Sequence, residues 1–246
     1  MGYKIHCLDS HTWLIEEEAP ECNVYMYLLA GEEKAVLIDS GYGTIPLDKI
    51  TASLTVLPVT VLCTHGHFDH IGGIGFFPCA MMHRCDRELY QQHRLEVRKI
   101  APHCIAPASP AELQWFDGTL SVDLGNRTLE VFPVPGHTGG CIAVLDKERR
   151  QIFTGDTCCK GAVLLNFEHS KDLTTYRNSL LSLLKIRDRF DITWPSHHAK
   201  PVDLNIPLQF LEAANLILEG HVQGTEVPNP YGPAKMFEYK DITVLY

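Results

Sequence analysis

The sequence lacks the features that would assign it to a membrane protein or to a nucleic-acid-binding protein. Its 246 residues contain no run of about 18 uninterrupted apolar residues, which is the length that a membrane-spanning helix requires. They also contain no long run of lysine and arginine, and the formal net charge is -9. Nucleic-acid phosphates and anionic lipids attract basic surfaces. We therefore expect a globular protein that acts on a small molecule, with no nucleic-acid or membrane partner.

The nine cysteines include no CxxC pair, the spacing that is common in zinc sites and redox-active pairs. Several of them, such as Cys63, lie inside apolar runs, which indicates buried reduced thiols. The chain also begins without the basic and then apolar pattern of a secretory signal. Together with the odd number of cysteines, this favours a reducing compartment, and we expect a cytoplasmic protein.

Short apolar runs alternate with turn residues along the chain, without an internal repeat or a low-complexity linker. Strands are predicted at residues 23–30, 35–38, 59–63, 119–124, 128–134, 141–145, 151–154, 192–195 and 241–244. Helices are predicted at residues 46–57, 86–99, 173–184 and 207–219, the third with Ser170 or Asp172 as its N-cap. Because strands and helices are mixed throughout, the sequence predicts one α/β domain over residues 1–246.

Residues 65–70, with the sequence HGHFDH, place three histidines and one aspartate within six positions. A chain of this composition contains such a pattern by chance in roughly two cases in a thousand. In extended backbone, side chains two residues apart point the same way, so His65 and His67 can bind one metal ion. Asp69 and His70 are adjacent, so their side chains point in different directions unless the chain turns. Gly72-Gly73 would permit such a turn. These two residues are expected to bind a second ion.

Three more candidate ligands follow short apolar strands. His137 lies in PGHTGG, Asp156 lies in GDT, and the pair His197-His198 follows Pro195-Ser196. Histidine nitrogen and carboxylate oxygen are the usual ligands of zinc in enzymes. The repeated pattern, a short strand that ends in a ligand beside small residues, predicts that one edge of the sheets forms a metal site.

The order of these motifs, together with Asp39 in LIDSG, closely resembles the metallo-β-lactamase-fold hydrolases over about residues 23–200. The resemblance implies an α/β fold, a four-layered αβ/βα sandwich with the metals at one edge of its sheets. It also implies the ligands of each ion: His65, His67 and His137 for the first, and Asp69, His70 and His197 for the second, with Asp156 bridging both. Alignment on Pro195-Ser196 favours His197 as the late ligand, with His198 as the alternative.

The ligand set is similar to that of the glyoxalase II-like members rather than to that of true β-lactamases, some of which have Cys where this chain has Asp156. It implies two divalent ions, zinc with iron or manganese as alternatives, and a metal-bridging hydroxide that cleaves a small ester, thioester or lactone. Asp69 and Asp156 would be the catalytic residues, and Asp39 would orient a ligand. The alternative function is an iron-dependent oxidoreductase on the same fold, of the persulfide dioxygenase or diiron type.

Residues 82–118, which follow the first ligand motif, combine a charged helical pattern with a proline-rich stretch. Such an insertion can form a lid that contacts substrate. The alternative is a plain surface helix.

Overall fold

The structure, a computed structural model, describes residues 2–20, 22–100, 102–107, 112–198, 200–228 and 232–246, without the side chains of residues 97, 98 and 100. The chain forms two compact units, unit 1 at Met1–Val131 and unit 2 at Phe132–Tyr246. Each unit has its own cluster of buried apolar residues. A single domain over residues 1–246 stays a prediction.

Unit 1 is built on a seven-stranded sheet whose strands neighbour one another in chain order. The strands are β1 (Tyr3–Asp9), β2 (Thr12–Glu17), β3 (Val24–Ala30), β4 (Ala35–Ile38), β5 (Val59–Leu62), β6 (Cys79–His83) and β7 (Glu112–Phe116). β1 to β4 pair antiparallel, whereas β4 to β7 pair parallel. Parallel neighbours require crossover connections, and these contain α1 (Leu47–Leu54), α2 (Phe68–Ile71) and α3 (Arg87–Ile100).

The parallel half of this sheet determines where the polar motifs of unit 1 lie. Asp39 follows β4, His65 follows β5 and Asp86 follows β6. The carboxyl ends of parallel strands meet at one edge of a sheet, which is where α/β proteins bind their ligands. The sheet therefore brings the residues of three separate motifs to the same edge.

The core of unit 1 lies between the sheet and its helices. Leu28, Leu37 and Val61 of the sheet are fully buried and pack in one cluster with Leu47 and Ile50 of α1. These α1 positions are three residues apart, so they lie on the same face of the helix. All residues of β3 and of β4 are buried, which explains why these strands are continuous apolar runs in the sequence.

The remaining strands form two sheets. One of these sheets contains a hairpin, which lies at the division between the units. The hairpin strands are β8 (Leu120–Asp123) and β9 (Thr128–Pro133), and the division falls within β9. The later strands are β10 (Ile142–Asp146), β11 (Gln151–Gly155), β12 (Ala162–Leu164), β13 (Ile192–Pro195), β14 (Thr225–Val227), β15 (Ala234–Tyr239) and β16 (Ile242–Leu245). One sheet has the order β13-β11-β10-β9-β8, and the other has the order β12-β16-β15-β14.

Two helices cover the sheets of unit 2, α4 (Leu173–Lys185) and α5 (Ile206–Leu218). Tyr176 and Leu180 of α4 and Phe210 of α5 are fully buried, and they share one cluster with Leu145 of β10. The predicted N-cap Asp172 is confirmed, since its Oδ1 accepts a hydrogen bond of 2.7 Å from the backbone N–H of Thr175.

The elements predicted from apolar periodicity are confirmed, with ends that differ by at most three residues. The structure adds strands that were not predicted: β1, β2, β6, β7, β12, β14 and β15. β6 and β7 contain no β-branched residue, one of the signals of a strand. The predicted lid at residues 82–118 begins in β6 and contains β7. The proline-rich stretch of this segment lies partly outside the described residues.

The structure addresses two further predictions, the one about membrane-spanning helices and the one about buried thiols. Within the described part of the chain, no helix is both long enough and apolar enough to cross a membrane. The cysteines are thiols rather than disulfides, and Cys63, Cys141, Cys158 and Cys159 are buried, which confirms buried thiols at these four positions. Cys7 and Cys85 are exposed instead. The cytoplasmic location stays a prediction.

Arg127, between β8 and β9, is buried in unit 1 with 1% of its surface exposed. Its Nη1 donates to the backbone oxygens of His11 and Ala30, at 2.8 and 3.0 Å. Its Nη2 donates to Thr12 Oγ1 at 2.8 Å. One guanidinium group therefore joins the turn between β1 and β2 to the end of β3.

We expect Arg127→Met to lower the free energy of unfolding by about 3 kcal/mol or more, because it leaves buried acceptors without their donor. Urea denaturation measures this quantity. Lys49→Met, at an exposed position of α1, is the control for loss of a cation. If the two variants were equally stable, Arg127 would not hold these segments together.

Candidate metal centre

The ligand motif of unit 1 follows β5, and His67 has extended backbone. His65 Nε2 and His67 Nδ1 face each other at 3.0 Å, and both residues are buried. Two nitrogen ligands of a tetrahedral zinc ion, each about 2.05 Å from the metal, are separated by about 3.3 Å. The two imidazoles therefore already have nearly the spacing that a shared ion requires.

Asp69 and His70 lie in α2, and this is where the prediction about the turn was wrong. The chain turns in α2 itself, before Gly72-Gly73, and neither glycine has a positive φ. A Cβ at Gly72 would lie 2.3 Å from backbone atoms of Tyr42, so this glycine permits close packing instead. The helix directs His70 Nε2 to within 3.7 Å of Asp69 Oδ2. His70 also offers a nitrogen within 4.8 Å of one on His65.

Asp39 stabilises this motif through hydrogen bonds. It is fully buried, and its Oδ1 accepts from the backbone N–H of Thr64 at 2.7 Å. Its Oδ2 accepts from Thr64 Oγ1 and pairs with His70 Nδ1, both at 2.8 Å. A proton on Nδ1 of His70 leaves its Nε2 lone pair for a metal, the arrangement typical of histidine ligands. Asp39 has φ of 60°, a left-handed conformation that aspartate tolerates better than most residues.

Glu17, which the sequence analysis did not identify, supports the loop that follows Asp39. Its carboxylate accepts from the backbone N–H groups of Tyr42 and Thr44, both at 2.8 Å, and from Thr44 Oγ1 at 2.6 Å. Burial raises the pKa of Glu17, while these hydrogen bonds oppose the shift. The same loop contacts α2, since the Ser40 side chain donates to the backbone oxygen of His70 at 2.8 Å.

Unit 2 presents a second set of ligand atoms around Asp156, which follows β11. Its Oδ2 lies 3.5 Å from His137 Nε2, and its Oδ1 lies 3.6 Å from His197 Nε2. His137 is oriented through its other nitrogen, since Nδ1 donates to the backbone oxygen of Leu164 at 2.7 Å. Each oxygen of one carboxylate therefore faces a different histidine, which is the arrangement of a bridging ligand.

His197 and His198 differ in their surroundings. His197 is buried, with 8% of its surface exposed, and it faces Asp156. His198 is exposed and has φ of 65°, and its ring lies so close to Gly161 that a Cβ there would be 2.9 Å from Cδ2. The geometry favours His197 as the late ligand.

Tyr176 of α4 positions two ligand segments, a role that the sequence analysis missed because position 176 fits an ordinary core position of an amphipathic helix. Its ring fills the space beside Gly136, where a Cβ would lie 2.5 Å from Cδ2. Its hydroxyl donates to the backbone oxygen of Thr157 at 2.8 Å. Since Gly136 precedes His137 and Thr157 follows Asp156, one buried side chain supports both ligands.

Two further residues that were not predicted, Asp86 and His93, accept hydrogen bonds from the backbone of the motif in unit 1. The thiols near the ligands of unit 2, Cys141, Cys158 and Cys159, are buried. Cys141 Sγ lies 3.2 Å from Thr138 Oγ1, and burial raises the pKa of Cys158 far above its ordinary value.

Asp39→Asn should weaken metal binding about 10–100-fold, the usual cost of removing a group that orients a metal ligand. The amide would place an N–H group where Thr64 and His70 need acceptors. Competition with a chelator measures the affinity for zinc, and Asp117→Asn, an exposed aspartate paired with Arg84, is the control. Unchanged affinity in Asp39→Asn would contradict the role of Asp39.

The variants His197→Ala and His198→Ala should differ in metal content. We expect His197→Ala to lose more bound metal after dialysis, because its imidazole faces Asp156. Elemental analysis of both purified variants measures this. A larger loss in His198→Ala would exchange their assignments.

Comparison with known proteins identifies the family. The model of the metallo-beta-lactamase superfamily matches residues 19–190. The acyl-coenzyme A thioesterase MBLAC2 of Homo sapiens is 28% identical over 212 residues, 74% of this chain and 75% of that protein. The hydroxyacylglutathione hydrolase of Bdellovibrio bacteriovorus is 31% identical over 134 residues, 54% of this chain and 47% of that protein.

A third relative, the mitochondrial persulfide dioxygenase ETHE1 of Bos taurus, is 29% identical over 168 residues, 65% of this chain and 58% of that protein. A metallo-beta-lactamase structure from Pontibacter korlensis superposes with a TM-score of 0.67, covering 87% of this chain and 99% of that one. At 18% identity this likeness shows the fold alone. The predicted fold class and the prediction of a hydrolytic enzyme are confirmed, and the chain belongs to the metallo-beta-lactamase superfamily.

Proposed function

We propose that the chain is a hydrolase that uses two divalent metal ions, and we expect both to be zinc. His65, His67 and His137 would hold the first ion, and Asp69, His70 and His197 the second. Asp156 would bridge them. The proposal is supported by the family model, which runs without interruption from residue 19 to residue 190 and so includes all of these residues except His197.

The observation that carries the proposal is the position of the Asp156 carboxylate. Its two oxygens lie at nearly equal distances from His137 and His197, which the proposal assigns to different ions. An aspartate that served only one ion would not need both oxygens directed at separate histidines. The spacing of His65 and His67 supports the proposal independently, because these nitrogens have nearly the separation of two ligands on one ion.

Bound divalent ions would supply water of lowered pKa and polarisation of the attacked carbonyl group. The side chains of this chain then have separate tasks. Asp69, with 16% of its side chain exposed, would orient the nucleophile and accept its proton. Asp39 keeps His70 in the correct tautomer, and the backbone oxygen of Leu164 does the same for His137.

For the substrate we propose a small thioester, with other esters and lactones as the wider class. Two of the relatives support this choice, since their names describe hydrolysis of an acyl-coenzyme A and of hydroxyacylglutathione. Both are thioesters. The acidic net charge of -9 agrees with a small-molecule substrate rather than a nucleic acid.

An iron-dependent oxidoreductase is the second candidate, because the chain is also similar to a persulfide dioxygenase. Histidine and carboxylate ligands bind iron as well as zinc, so the ligand types do not decide between them. A complete set of candidate ligands for a second ion, Asp69, His70 and His197, favours hydrolysis.

Elemental analysis of the purified chain, combined with hydrolysis of a series of acyl-coenzyme A thioesters, tests the proposal. We expect two zinc ions per chain and release of free thiol. One iron per chain, with oxygen uptake in the presence of a persulfide and without thioester hydrolysis, would establish the second candidate instead.

Asp156→Asn should lose one ion and reduce kcat by more than about 100-fold, the upper end of what loss of an orienting group usually costs. An amide lacks the second negative oxygen that a bridge between two cations requires. Asp188→Asn, at an exposed position of unit 2, is the matched control. Full activity and full metal content in Asp156→Asn would refute the bridging role.

A further inference from the structure

The two backbone N–H groups on either side of His67 both donate to side chains of one segment. The N–H of Gly66 donates to Asp86 Oδ2 at 2.8 Å, and the N–H of Phe68 donates to His93 Nδ1 at 3.2 Å. Asp86 is buried, with 1% of its surface exposed, and His93 lies in α3. The residues before and after a candidate metal ligand are thus both held by hydrogen bonds to one segment.

His93 also covers the ring of that ligand. The imidazoles of His67 and His93 are stacked, with centroids 5.1 Å apart and planes inclined by 19°. The ring of Phe68 lies 5.9 Å from that of His93. Gly66 packs tightly against this segment, because a Cβ there would lie 3.2 Å from the backbone nitrogen of Tyr90. His67 is held by hydrogen bonds of its two neighbours and by one stacked face.

The position of His67 determines the positions of other ligands in unit 1. Its Nδ1 faces His65 Nε2 at 3.0 Å, and small displacements of ligand atoms weaken a metal site. Its backbone oxygen accepts from the N–H groups of His70 and Ile71, at 3.0 and 3.1 Å, which forms the first turn of α2. A shift of His67 would therefore move His70 as well.

The segment that supplies Asp86 and His93 is anchored beyond α3 as well. The backbone N–H of Ile105 donates to the oxygen of Gly43 at 2.9 Å, and Cys104 Sγ donates to the oxygen of Gly72 at 3.7 Å. These anchors join the segment to the loop after Asp39 and to the end of α2. These two contacts hold the segment against the rest of unit 1.

We propose that His93 is a positioning residue, which acts on the first metal ion through His67. The proposal rests on the proposed function, because it takes His67 to be a metal ligand. His93 supplies two separable contacts, the acceptor for the Phe68 N–H and the stacked ring. Asn at this position places Oδ1 close to where Nδ1 lies and keeps the acceptor alone, whereas Phe keeps the ring alone.

The test uses the full chain, depleted of metal and reloaded with zinc or cobalt, in the variants His93→Ala, His93→Phe and His93→Asn. We expect His93→Ala to bind zinc about 10-fold or more weakly in competition with a chelator, in the range usual for groups that orient ligands. His93→Phe should also bind more weakly, and His93→Asn should recover most of the affinity. The visible spectrum of bound cobalt should change in His93→Ala and return towards that of the wild type in His93→Asn.

Gln92→Ala is the matched control, since Gln92 is exposed on the same helix. The proposal would be overturned if His93→Phe had the same zinc affinity and the same cobalt spectrum as Gln92→Ala. His93→Phe retains the packing of a ring, so it serves as the test if His93→Ala does not fold. Failure of the proposed function is a different result, in which the wild-type chain itself binds no metal or hydrolyses no thioester. The wild type and the His93 variants therefore test the two proposals separately.

Discussion

The hydrogen bonds of the buried Asp39 carboxylate hold the ligand motif of unit 1 in place. A buried carboxylate is costly unless its oxygens are satisfied, and both oxygens of Asp39 have partners on Thr64 and His70. Those contacts join the end of β4 to the segment after β5 and to α2. The backbone must approach closely to make them, which is why Gly72 lies against Tyr42 without space for a side chain.

In unit 2, a hydrogen bond from Nδ1 also orients a candidate histidine ligand, but the acceptor is a different group. The backbone oxygen of Leu164 takes the place that a carboxylate has in unit 1, and it leaves Nε2 of His137 available to a metal. Tyr176 supports the segments beside His137 and Asp156 at once. In both units, then, buried groups with no direct role in the proposed chemistry fix the direction of each ligand. This is the second layer on which metal affinity commonly depends.

The sequence predicted the ligands and most of the fold because both leave local patterns. Alternating apolar runs identified β3, β4 and β5, and the spacing of His65 and His67 required extended backbone. The supporting residues leave no such pattern. Glu17 lies in an ordinary strand, and Tyr176 has the position of a core residue in a helix. Asp86 and His93 act on a motif about 20 residues earlier, so their roles depend on the crossover that returns α3 to the sheet.

The lid predicted at residues 82–118 stays a prediction. A charged helix between two ligand motifs is consistent with a lid, but β6 and β7 anchor its ends in the sheet.

The central claim is that Asp156 joins two metal ions. A crystal structure of the metal-loaded chain, with anomalous scattering recorded at the zinc edge, tests it most directly. The account predicts two peaks, each in contact with a different oxygen of Asp156. One peak, or two peaks of which only one contacts Asp156, would contradict it.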